Sequence, residues 1–283
     1  GEYFFGGRGY KISGSVSKGA EHTSVNPMSE KALTEALKCA VMCSTAEISA
    51  PVKPRSRNRG ALVGKGEWQT TGDPTEIALL VAAAKAGVTN ASLQSTLRRT
   101  EEYPFDSETR FMAVHCLHGT SGKTYFKGAE EVILPRCSQY MSDSGEILPL
   151  TPAIRRKLAD RTIEMSDKAL RVLALAVSES DSFDPNGAGL TFLGLSGMID
   201  PPREEAKLAI RKCAAASVKT VMITGDHKNT AVAVDRKAGL LRGGKAMTGA
   251  ELDKLTDEEL DREIGKYTVF ARVEPVHKLR IVR

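Results

Sequence analysis

The stretch from Lys219 to Ala233 constrains this chain more than any other. It opens on a short apolar run, Thr220 to Ile223, rich in β-branched residues, and Val218 to Ile223 reads as a buried strand. The run breaks at Thr224-Gly225-Asp226. A helical pattern follows from about Asn229 to Ala238, closed by Gly239. Strand, tight turn and helix put a small hydroxyl and free backbone N–H groups at the carboxyl edge of a parallel sheet, where the helix dipole favours an anion. Taken alone, Thr-Gly-Asp is better read as an ordinary strand-to-helix turn.

The pattern continues beyond this stretch. Glu204 to Ala216 reads as a helix, Val269-Phe270-Ala271 as a strand, and Pro275 as a helix start. Thr256-Asp257-Glu258-Glu259 is a capping box. Strands alternating with helices predict a parallel, doubly wound sheet. Before position 200 the rhythm differs. Leu33, Leu37, Ala40, Val41 and Ser44 predict a helix within Ser29 to Ile48, with Ser29 as its cap. Asp73-Pro74-Thr75-Glu76 is a second helix start, running to Gly87: Asp73 caps, Pro74 has no N–H to waste, and Glu76 can reach back. Glu130 to Cys137 and Thr151 to Lys168 read as further helices. Tyr10 to Gly14, the run leading to Val114, Tyr125 to Lys127, Arg171 to Val177 and Thr191 to Met198 read as strands. The first part is therefore expected to be an antiparallel sheet with flanking helices. Consecutive prolines in Asp200-Pro201-Pro202-Arg203 are stiff and make a hinge there. The predicted division is residues 1–198 and 199–283, both α/β in class.

A chain of 283 residues with 40 Lys and Arg against 35 Asp and Glu carries a formal +5, which does not call for nucleic acid. No apolar run approaches the ~20 residues of a membrane span. Five cysteines form no C-x-x-C pair, and Cys39 and Cys43, four apart on one helix face, suit core packing better than a metal. The basic loop 51–66, with Lys53, Arg55, Arg57, Arg59 and Lys65, reads as a solvated surface, with docking of an acidic partner as the alternative.

Six stretches stand in a telling order: Gly72-Asp73-Pro74-Thr75-Glu76, Pro104-Phe105-Asp106-Ser107, Lys127-Gly128-Ala129, Asp200-Pro201-Pro202-Arg203, Met222-Ile223-Thr224-Gly225-Asp226, and Ala271-Arg272-Val273-Glu274-Pro275-Val276-His277-Lys278. Each is weak alone. Together they resemble the cytoplasmic ATP-binding half of the P-type cation-transporting ATPases, most of all the calcium pumps, and the resemblance covers nearly the whole chain. It implies a nucleotide-binding domain over 1–198 and part of a haloacid-dehalogenase-like phosphorylation domain over 199–283.

The resemblance also assigns roles. Phe105 would stack on adenine; the residues alone make a lone Phe a core side chain. Glu76 would approach the adenine, whereas the residues alone favour capping. Arg110 matches a cation close to the nucleotide, and Arg171 one that contacts its phosphates. Lys127, on a strand end beside Gly128, would point into the cleft; Glu130-Glu131 stands where the pumps often have Pro-Glu. Asp200, Arg203 and Arg272 join the nucleotide-binding set. Thr224, Gly225, Asp226 and Lys278 would serve phosphoryl transfer, Thr224 with its hydroxyl and Lys278 with its charge.

The family's Asp-Lys-Thr-Gly-Thr and Gly-Asp-Gly-x-Asn-Asp motifs do not occur among these residues. The chain is thus expected to be a fragment that binds ATP, with Mg²⁺ ligands largely outside it, and does not hydrolyse ATP. It would belong to a pump at the cytoplasmic face of a membrane, with the actuator and transmembrane domains as partners. A stand-alone phosphatase or phosphotransferase, or an inactive nucleotide-binding regulatory module, is the alternative.

Overall fold

The computed structural model describes residues 1–7, 10–49, 68–168, 170–199, 204–226, 228–240 and 244–282. These fall into two compact units: Gly1–Arg156 with Leu173–Ser196, and Lys157–Val172 with Gly197–Arg283. The basic loop, Asp200 and Arg203 lie outside the described residues.

The first unit begins with a small antiparallel sheet of β1 (Tyr3–Phe5), β2 (Val16–Lys18) and β3 (Thr23–Ser24). Tyr10 to Gly14, expected as a strand, is not one; Val16, buried where Ile12 is half-exposed, carries the pairing instead. Helix α1 (Lys31–Met42) ends earlier than its apolar spacing predicts, because Glu47–Ser49 leaves to form β4 beside β5 (Gln69–Thr71). Ser29 does not cap α1. It sits in a 3₁₀ turn with its hydroxyl donated to the Asn26 carbonyl, and Glu30 occupies the cap position without bonding the helix amides through its side chain.

Helix α2 (Pro74–Lys85) starts as its sequence dictates. Asp73 accepts from the amides of Thr75 and Glu76, and Pro74 fills the first turn. The short helix α3 (Asn90–Leu93) leads into the main sheet. Its strands are β6 (Arg98–Tyr103), β7 (Phe111–His118), β8 (Ser121–Gly128), β9 (Cys137–Met141), β10 (Ile147–Pro149), β11 (Arg171–Ser178) and β12 (Leu190–Met198). They stand in the order β10-β9-β12-β11-β8-β7-β6. Among the described pairings of this sheet only β12 with β9 is parallel. Between β8 and β9 the predicted helix is short: α4 (Glu130–Ile133) passes into a 3₁₀ turn at Leu134–Arg136, since Pro135 lacks the N–H a longer helix needs. Helix α5 (Pro152–Asp167) follows β10, and from Lys157 on it is grouped with the second unit.

Both faces of β7 and β8 are covered, so Phe111 to Cys116 and Thr124 to Gly128 are buried without alternation. Along β8, Tyr125 and Lys127 share a face. The Tyr125 hydroxyl donates to Glu35 of α1 at 2.8 Å, and Lys127 reaches Glu76 of α2. That face is therefore the one α1 and α2 cover.

The second unit holds α6 (Glu204–Ala215), β13 (Met222–Ile223), α7 (Lys228–Ala238), β14 (Lys245–Thr248), α8 (Gly249–Leu252), α9 (Asp257–Glu263), β15 (Tyr267–Ala271) and α10 (Pro275–Val282). Its sheet is parallel, in the order β13-β15-β14. Val269 and Ala271 pack with Ala231 of α7 on one side, while Phe270 packs with Met247, Leu252, Leu260 and Val273 on the other. The capping box at Thr256 and Glu259 forms as predicted. The strand expected over Val218 to Ile223 is only two residues long: Met222 and Ile223 pair with Val269 and Phe270 of β15.

Candidate functional site

Five of the residues singled out by sequence gather at one end of β7 and β8. Phe111 pairs with Gly128 and Met112 with Lys127, so the loop 104–110 that feeds β7 lies beside the strand end that carries the lysine. Asp106 shapes this loop by accepting from the amides of Glu108 and Thr109 at 2.8 and 3.0 Å. Arg110 closes it in a left-handed conformation, φ 57°, and its carbonyl accepts from Ala129 at 2.9 Å. Gly128 is required by this closeness. A Cβ there would lie 2.5 Å from Phe111 Cβ and 2.6 Å from the Arg110 carbonyl.

Phe105 is 58% exposed, so it is no core side chain. It stands just before Asp106, on the loop that Asp106 shapes. Lys127 is only 5% exposed. Its ammonium meets Glu76 Oε1 at 2.8 Å. The other carboxylate oxygen of Glu76 accepts from the Thr45 amide at 2.7 Å, the Thr45 hydroxyl at 3.0 Å and the Ala46 amide at 3.0 Å. Glu76 thus does not reach back to its own helix start as a capping box would; it joins the chain after α1 to β8. Burial by itself would raise its carboxyl, but the Lys127 bond and charge and the two amides outweigh that and hold it below the ordinary value. Arg110 is also paired, with Glu131 Oε1 at 2.7 Å on the surface. Thr45, Ala46 and Glu131 were not foreseen as neighbours of these residues. Glu131 had a signal, the acidic pair after Lys-Gly-Ala; two backbone amides have none. Arg171 is exposed, opens β11 and is grouped with the second unit.

The second unit builds a separate turn. Thr224 donates its hydroxyl to Asp226 Oδ2 at 2.7 Å and accepts from the Asp226 amide at 3.1 Å. The Thr224 carbonyl accepts from Val273 and the Asp226 carbonyl from Arg272, which is left-handed at φ 49°. A Cβ on Gly225 would meet nothing within 4 Å, so neither packing nor conformation demands glycine there. Lys278 is exposed in the first turn of α10. Among the described residues no three His, Cys, Asp or Glu side chains stand close enough to hold a metal ion, so no chemistry is assigned to Mg²⁺ on these residues. No helix among them is long and apolar enough to cross a membrane.

Residues 32–205, more than half of the chain, match the family described as P-type ATPase, cytoplasmic domain N. Calcium-transporting ATPase 1 of Bacillus cereus is 42% identical over 75% of this chain, and its counterpart of the same name in Lactococcus lactis 43% over 77%. A calcium-transporting ATPase of Bacillus subtilis is 38% identical over 98%. The chain spans between 24% and 30% of the length of these curated relatives. The antiparallel-rich sheet and the small parallel sheet agree with that match, and the chain belongs to the P-type ATPases, whose cytoplasmic N domain it carries.

Proposed function

We propose that this chain is the ATP-binding cytoplasmic region of a P-type pump that couples ATP hydrolysis to cation transport, with calcium as the cation. The names of its relatives support the choice of calcium. Residues 1–198 form the nucleotide-binding domain. Residues 199–283 form part of a haloacid-dehalogenase-like phosphorylation domain. The remainder of the pump, actuator and membrane helices included, is the partner.

One observation supports nucleotide binding best: an exposed aromatic ring, Phe105, beside a strand end that carries the nearly buried cation Lys127. A nucleotide has a base with a π-face to stack and phosphates to neutralise, and this end of β7 and β8 offers a partner for each. Phe105 stacks on adenine, and Lys127 lies by the ring and α-phosphate. The carboxylate of Glu76 already has four donors, so its contact with the adenine amino edge depends on lone pairs left over. In the second unit, Thr224, Gly225, Asp226 and Lys278 face the transferred phosphoryl group.

The chain binds ATP without turning it over, because no Asp-Lys-Thr-Gly-Thr stretch supplies a nucleophile among its residues. Two measurements test the reading: titration calorimetry with ATP, and incubation with γ-labelled ATP and Mg²⁺. Absent binding refutes the nucleotide site. An acid-stable, hydroxylamine-sensitive label on the chain refutes its inactivity.

A further inference from the structure

The first turn of α10 is held by a histidine. Pro275 occupies the first helical position, which puts His277 at the third and Glu274 at the cap. His277 Nδ1 accepts from the Glu274 amide at 2.9 Å. This is the reciprocal half of a capping box, with an imidazole in the place Glu or Gln usually takes. An accepting Nδ1 leaves the ring proton on Nε2, which donates to Asp253 Oδ1 at 2.8 Å. His277 is only 7% exposed and lies against Gly249. A Cβ at Gly249 would come within 2.8 Å of its Cε1 and 2.9 Å of its Nδ1.

These contacts tie α10 to its surroundings on two sides. His277 and Arg280, one turn apart, bind the segment after α8: Arg280 donates to the carbonyls of Leu252 and Leu255 and to Asp257. On the other side Arg272 and Val273, just before the helix, donate to the carbonyls of Asp226 and Thr224. The helix is thereby fixed in rotation about its axis relative to the Thr224 turn. Lys278 follows His277 directly, so the same contacts set the direction in which its side chain leaves.

We propose that His277, as the Nε2–H tautomer, is a positioning residue for Lys278, clamping the first turn of α10 so that the lysine addresses an anion at the Thr224–Asp226 turn. This rests on the reading that this turn and Lys278 face a phosphoryl group. A free side-chain ammonium has four rotatable carbon bonds to order. Fixing its backbone removes part of that cost before the anion arrives.

The whole chain serves for the test, with inorganic phosphate as the probe. Imidazole ¹⁵N spectra should show His277 protonated on Nε2 only. Loss of the cap in His277→Ala should speed exchange of the Glu274 amide about tenfold. Lys278, followed by the ¹³C signal of its dimethylated amine, should respond to phosphate in the parent chain and about threefold to tenfold more weakly in His277→Ala. His277→Asn, whose side-chain oxygen stands near the Nδ1 position, should restore the Glu274 protection and most of the phosphate response. A ring protonated on Nδ1, unchanged Glu274 exchange in His277→Ala, or a phosphate response that survives that substitution overturns the proposal alone. A parent chain in which Lys278 ignores phosphate overturns the reading of the turn, and the proposal with it.

Discussion

The ammonium of Lys127 and the carboxylate of Glu76 stand 2.8 Å apart, with 6% and 13% of their side chains exposed, although 51 residues separate them in sequence. One comes from the end of a central strand and the other from the first turn of a covering helix. The pair fixes where the only nearly buried lysine among the described residues keeps its charge.

Removing either partner leaves the other charge desolvated. Glu76→Ala also frees the amides of Thr45 and Ala46. The variant is expected to lose about 3 kcal/mol of stability in the first unit, read by urea unfolding. The folded pKa of Glu76 is depressed, so its contribution is present above the ordinary value of 4.5 and is lost as pH falls through the lower folded value. Parent and Glu76→Ala should therefore converge in stability as pH falls below 4.5. A loss that stays constant across an acid titration would contradict the pairing.

Phe105→Ala should leave stability unchanged, because the ring is exposed. Base–aromatic stacking is worth roughly 1–3 kcal/mol, so ATP affinity should fall by about one to two orders of magnitude in calorimetry. Unchanged affinity would remove the ring from the nucleotide site.

Gly128→Ala should damage both properties. The added methyl has no space between Phe111 and the Arg110 carbonyl, both of them backbone-anchored. A cost of about 2–3 kcal/mol is expected, with weaker ATP binding as β8 moves away from the loop 104–110. A crystal structure of the variant with an unmoved strand pair would contradict this.

Asp235 of α7 is fully buried, and among the described residues neither carboxylate oxygen has a hydrogen-bond partner. Burial alone pushes its carboxyl from 3.8 up to about 6. A raised acid is neutral in both states below 3.8. Between 3.8 and about 6 the unfolded chain ionises while the folded one resists, so stability falls as pH rises and stays reduced above that window. Asp235→Asn should therefore stabilise the second unit by about 2–3 kcal/mol at pH 8 and by almost nothing at pH 3.5. Hydrogen exchange of β15 amides reads the difference, and a pH-independent effect would contradict the burial argument.

Local chemistry decided what could be read from the residues in order. Asp73 and Thr256 announce their helices because an N-cap needs only a side-chain oxygen and amides two or three positions on. Arg171 to Val177 and Thr191 to Met198 announce strands because they are short, largely apolar runs, too short for a buried helix. The family was legible for a similar reason: the motifs are short, and their order survives without any knowledge of contacts. Pairing across the chain was not legible. Nothing near Tyr3, Val16 or Lys245 states which strand will accept its hydrogen bonds, and the parallel pairing of β12 with β9 depends on the packing of the whole sheet. The same holds inside the sites. Sequence singled out Glu76, Lys127, Thr224 and Lys278, whereas only the folded chain decided that Glu76 turns to Thr45, Ala46 and Lys127 rather than to its own helix, and that His277 bonds Asp253, 24 residues away. A carboxylate or an imidazole takes whichever donors burial brings within 3 Å of it, and burial is a property of the tertiary structure, not of the neighbouring residues in sequence.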